Sequence, residues 1–87
     1  MNTKQKKTLH NIFHNPIKGS ILWQDVEGLF NALGAHIEEG SGSRVCIMLN
    51  GVVAVFHRPH HGKETDKGAL KSVRHFLINA GVKYDGV

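Results

Sequence analysis

The chain has a single cysteine, Cys46, among its 87 residues. One thiol cannot close an internal disulfide, so nothing here suggests a secreted, cross-linked scaffold. Cys46 lies in the apolar run Val45-Cys46-Ile47-Met48-Leu49 and reads as a buried structural thiol rather than a nucleophile. Aromatic residues are few, with one Trp, one Tyr and four Phe. They do not cluster as they do on base-stacking RNA-binding sheets. Trp23, at the start of a helical pattern, reads as a packing anchor, and Tyr84 falls in the tail 83–87, which is expected to be loose. No apolar run reaches the ~20 residues that span a bilayer, and the opening MNTKQKKTL lacks the apolar core of a signal peptide. A cytoplasmic location with no membrane partner is the expectation. Acidic residues are scarce as well: seven Asp plus Glu against eleven Lys plus Arg give a formal charge of +4, before any of the seven histidines is protonated. This balance favours nucleic acid or an acidic protein as partner.

What is present divides into elements at Gly, Pro and Asn. Leu9, Ile12 and Phe13 have the spacing of an amphipathic helix over residues 4–14, ended by Asn15-Pro16. Val26, Leu29, Phe30 and Leu33 lie on one face of a second helix over residues 23–33, with Gly34 as its C-terminal cap. Residues 35–39 read as a short strand. Two β-rich runs, 44–49 and 52–57, flank Asn50-Gly51, a strong hairpin signal because both turn residues tolerate positive φ. Asp66 is placed to cap a last helix over residues 67–80, with Leu70, Val73, Leu77 and Ala80 inward and Gly81 as its stop. The length allows one domain, 1–87, with a core at 20–82. Its expected class is α+β: the α-β-β-β-α order of the double-stranded-RNA-binding fold, helices on one face of a three-stranded antiparallel sheet, and an extra N-terminal helix.

Basic and histidine side chains gather in the last third of the chain. His57, Arg58, His60, His61, Lys63, Lys67, Lys71, Arg74 and His75 face only Glu64 and Asp66. Positions 67, 71, 74 and 75 share one helical stripe, along which a phosphate backbone could lie with weak sequence preference and a marked salt dependence. An ordinary solvated face has the same pattern. His57, His60 and His61 could bind zinc or nickel adventitiously, but there is no second cysteine and no matched carboxylate motif, so no metal site and no cofactor are expected. His10, His14 and His36 have no clustered partners and read as surface residues.

A helix ending in Ala-Leu-Gly, a strand, the Gly42-Ser43 step, His60, Lys67-Gly68 and a closing helix ending in Asn79-Ala80-Gly81 follow one another over about residues 23–82. In this order they resemble the HicA toxins of HicA–HicB toxin–antitoxin pairs. The resemblance implies a messenger-RNA-cleaving endoribonuclease that works without metal and is neutralised by a HicB-like antitoxin. One departure matters greatly: the family's Gly-Ser step is usually followed by a histidine regarded as catalytic, and here Arg44 follows it.

Cleavage without metal needs a group to take the proton from the ribose 2′-hydroxyl. Neutral imidazole does this at cellular pH, whereas arginine stays protonated and can only hold the phosphate. His57 is the first candidate for the base and His60 the second. Antiparallel pairing about Asn50-Gly51 places His57 opposite Arg44, because the two are equally far from the turn. If Val52, Ala54 and Phe56 face the core, His57 and Arg44 both lie on the open face. Arg44 is then the phosphate ligand, and Arg58, Lys63, Lys67, Lys71 and Arg74 are the candidate RNA-binding residues. Two other readings stay open: a catalytically silent module that binds RNA or antitoxin, and an RNA-binding domain unrelated to toxicity.

Overall fold

A computed structural model describes residues 1–59 and 63–84. Its elements are α1 (Thr3–Phe13), α2 (Trp23–Ala32), β1 (His36–Glu39), β2 (Arg44–Leu49), β3 (Val52–His57) and α3 (Lys67–Asn79). The α+β class and the expected element order are both present, with helix ends within two residues of the sequence reading.

Asn2 starts α1 through a reciprocal cap: its side chain accepts from the Gln5 backbone N–H, and the Gln5 side chain accepts from that of Asn2, each at 2.9 Å. Asp66 caps α3 by accepting from the Ala69 N–H at 2.7 Å. At the hairpin, Asn50 and Gly51 take φ of 51° and 81°, the left-handed conformations that fit the twist of the strands they join. The Asn50 side chain also donates to the Ala80 carbonyl at 2.8 Å, which ties the turn to the end of α3.

The sheet has the order β1-β2-β3 and is antiparallel throughout. Val45, Ile47 and Leu49 on β2, with Phe56 on β3, point to the buried face and meet α2 and α3. α1 packs against both of those helices. The centre of the core is aromatic. The Phe30 ring stacks on Phe56 at 5.9 Å and meets Phe76 edge-on at 5.7 Å, and Trp23 lies 6.1 Å from Phe56. Each such buried side chain contributes about 1.5–3 kcal/mol of burial free energy. Trp23 is thus the packing anchor its position suggests. Phe76 joins the core although it stands beside the expected stripe of α3, because the sheet presents Phe56 to it at 5.9 Å.

Three local expectations are corrected. Cys46 is half-buried and lies on the open face, since the residues inward on β2 are its neighbours Val45 and Ile47. Tyr84 is docked, not loose: its ring stacks on Phe13 at 5.5 Å and its hydroxyl hydrogen-bonds His10 Nδ1, while residues 85–87 lie outside the described part. His10 therefore belongs to a small aromatic group with His14 and Tyr84. The loop before α2 adds Ile17 and Ile21 to the core.

Candidate catalytic face

Register sets the site. β2 and β3 pair Leu49 with Val52 at the turn and end with Arg44 directly opposite His57. Phe56 is buried and its neighbours Val55 and His57 are exposed, so the inward set on β3 includes Phe56 and the outward set includes His57. Arg44 and His57 therefore stand together on the solvent side of the sheet, at the end of the ladder farthest from the hairpin. Gly40 and Gly42 shape the turn that leads into Arg44. The Gly40 N–H donates to the Arg44 carbonyl at 2.9 Å, and a Cβ at residue 40 would come within 3.1 Å of Arg44 Cβ. Among the described residues no hydrogen bond holds the His57 ring.

The segment leaving β3 is pinned just past His57. The Arg58 N–H donates to the Ser43 carbonyl at 2.9 Å, which extends the ladder by one pair. The Arg58 guanidinium bridges Glu27 on α2, at 2.7 Å from Nη2, and Glu39 on β1. The hydrogen bond from Arg58 holds the Glu39 carboxyl below its ordinary pKa, and the two carboxylates raise that of Arg58. Arg58 is thus saturated by protein acids rather than displayed to a ligand. Farther on, an antiparallel bridge pairs Leu22 with Glu64: the Trp23 N–H donates to the Lys63 carbonyl at 2.9 Å and the Thr65 N–H to the Ile21 carbonyl at 2.8 Å. This anchors the backbone of Lys63 and leaves its side chain exposed. His60 and His61 lie outside the described residues.

On α3 the expected stripe is only partly displayed. Lys67, Lys71 and His75 are exposed. Arg74 turns toward α1, donating to the Ile12 carbonyl at 2.9 Å, the His14 carbonyl at 2.8 Å and the Asn15 side chain at 3.1 Å. It satisfies carbonyls at the end of α1 that have no partner within the helix. Lys67 lies across Gly19, where a Cβ would approach its Cε to 3.1 Å. Beside that loop, Lys4, Lys7 and Lys18 line a polar cleft of about 430 Å³, in which Lys4 pairs with Asp25 at 3.2 Å. Lys4 and Lys7 stand one turn apart on α1, and the chain beyond that helix folds back to bring Lys18 beside them, so this cleft has no sequence signature. Among the described residues no helix is long and apolar enough to cross a membrane, and no three His, Cys, Asp or Glu side chains are grouped to hold a metal ion.

The chain is thus a small α-β-β-β-α domain, preceded by α1, with a basic closing helix and an exposed Arg–His pair at one sheet end. Residues 23–82 match the family model of the HicA toxin of bacterial toxin–antitoxin systems. The match covers more than half of the chain, which therefore belongs to the HicA toxin family and is the toxin partner of an antitoxin. No curated protein and no solved structure matches it. α1 lies before the matched residues.

Proposed function

We propose that this chain is a metal-independent endoribonuclease of messenger RNA, acting in the cytoplasm and neutralised by a HicB-like antitoxin that covers the Arg44–His57 face. The observation that carries the proposal is the direct pairing of Arg44 with His57 on the exposed side of a HicA-family domain. His57 takes the proton of a ribose 2′-hydroxyl, and the oxygen so released attacks the adjacent phosphorus. The bond to the 5′-oxygen of the next nucleotide breaks, leaving a 2′,3′-cyclic phosphate and a 5′-oxygen that takes a proton from solvent to give the 5′-hydroxyl, while the His57 imidazolium returns its proton to solvent. Arg44 binds the non-bridging phosphate oxygens and stabilises the charge that builds on them. Lys63, Lys67 and Lys71 position the backbone on either side. Arg58 and Arg74, both committed to protein partners, hold the site in shape instead. His60 is the alternative base.

Growth after controlled expression tests this reading. Arrest with decay of total RNA, removed by His57→Ala or His60→Ala, supports the ribonuclease and names its base.

A second reading has an observation in its favour. Arg44 stands where the family has a histidine, and no described side chain orients the His57 ring as a base is usually oriented. On this reading the chain is a silent binding module. Unimpaired growth and intact RNA, from protein shown to be folded, would select it.

A further inference from the structure

β3 forms one edge of the sheet, because the strand order is β1-β2-β3. In a two-residue hairpin the closing pair, here Leu49 and Val52, exchanges backbone hydrogen bonds, and bonded and non-bonded pairs then alternate. Ile47–Ala54 and Val45–Phe56 are thus bonded pairs, while Met48–Val53, Cys46–Val55 and Arg44–His57 are not. The Arg58 N–H bond to Ser43 falls in step with this alternation. It follows that the N–H and C=O groups of Val53, Val55 and His57 point outward along the open edge. Among the described residues no backbone group pairs with them.

Solitary edges are normally guarded by charge, proline or a bulge. Residues 52–56 carry no charge and no proline, and their register with β2 runs without a bulge. Instead Val53 and Val55 are 57% and 56% exposed, beside Met48 at 38%. On the helix side, β3 and α3 enclose a groove of about 340 Å³ lined by Ala54, Lys71, His75, Phe76 and Asn79 among others. Neither Val52–His57 nor Lys67–Asn79 contains a carboxylate. The edge is therefore complementary to an extended segment that is apolar on one side and acidic on the other.

We infer that β3 receives an extended segment of the antitoxin as a fourth strand, with apolar side chains over Val53 and Val55 and carboxylates facing Lys71 and His75. The inference rests on the toxin reading of the chain and not on RNA cleavage. A second copy of this chain does not fit, since its own β3 has no acid to offer and pairing the two edges would bring like cations together. Backbone pairing that reaches His57 also brings side chains of the added strand beside the His57 ring on the open face, so that binding and inhibition are one event.

Amide hydrogen exchange tests this on the full chain, alone and with its purified antitoxin. Exchange at Val53, Val55 and His57 should slow by roughly tenfold or more in the complex, while Ala54 and Phe56 are protected in both states. Val53→Pro deletes one outward donor without touching the ladder to β2, and should weaken binding by roughly tenfold. Lys71→Glu should weaken it further, in a salt-dependent way. Unchanged exchange at the three outward amides in the complex, or no binding at all, overturns the inference. So does a dimer of the chain alone that protects the same amides. None of these readouts depends on whether RNA is cut.

Discussion

Arg44 and His57 occupy directly opposite, non-bonded positions on the exposed side of the β2–β3 ladder, so one can take the place of the other without moving the site. The exchange Arg44→His with His57→Arg should therefore keep cleavage within about tenfold of the wild type, whereas His57→Ala alone should lower it by about 10²–10⁴-fold. Both side chains are exposed, so melting temperatures should stay close to that of the wild type. Cleavage rates and thermal melts of the two variants beside the wild type check this.

RNA affinity should depend on Lys63, Lys67 and Lys71, whose side chains are exposed. Replacing any one of them by Gln should lower the slope of log K against log salt by about 0.7 for a single strand. Arg58→Gln and Arg74→Gln should leave the slope unchanged, because their guanidinium groups are already paired with protein acceptors. Binding to an uncleavable RNA across a salt series measures both.

Arg58 joins the segment after β3 to α2 and β1. Its pair with Glu27, in which the side chains are 29% and 23% exposed, should contribute about 1–2 kcal/mol, so Arg58→Met should lower Tm by roughly 5–15 °C. The Glu39 arm adds a pH dependence. Its carboxyl is held below the ordinary value in the folded protein, so its contribution is present above the unfolded value and fades as pH falls through the folded one. The stability gap between wild type and Arg58→Met should narrow on acidification through the carboxylate range, as urea midpoints would show.

Phe76 touches Phe30 and Phe56 and is 3% exposed. Phe76→Ala should cost about 3–5 kcal/mol by opening a cavity between α3 and the sheet. Chemical denaturation gives the value directly, and a loss below about 1 kcal/mol would mean that the aromatic cluster closes over the gap.

Much of the site was legible because its geometry is local. Asn50-Gly51 determines a two-residue turn, the turn determines the register, and Phe56 determines which face is buried, so the Arg44–His57 pairing follows by counting. Pairings between distant segments were not legible. Sequence displays the charge of Arg58 and Arg74 but not the acceptors, Glu27, Glu39, Ile12 and His14, that tertiary packing brings to them. Tyr84 reads as loose for the same reason, since its partners His10 and Phe13 lie at the other end of the chain. Phe76 has no sequence signature of burial because the helical stripe through Leu70, Val73 and Leu77 is complete without it, and only the facing Phe56 widens that stripe.

A base role for His57 in a metal-independent cleavage can be read from the reaction products. Purified wild type and His57→Ala should be incubated with messenger RNA in excess chelator and the product ends identified. The expected result is fragments with 2′,3′-cyclic phosphate and 5′-hydroxyl ends from the wild type and a loss of at least about 100-fold in His57→Ala. Equal rates from the two proteins, or no cleavage by a folded wild type, would contradict it.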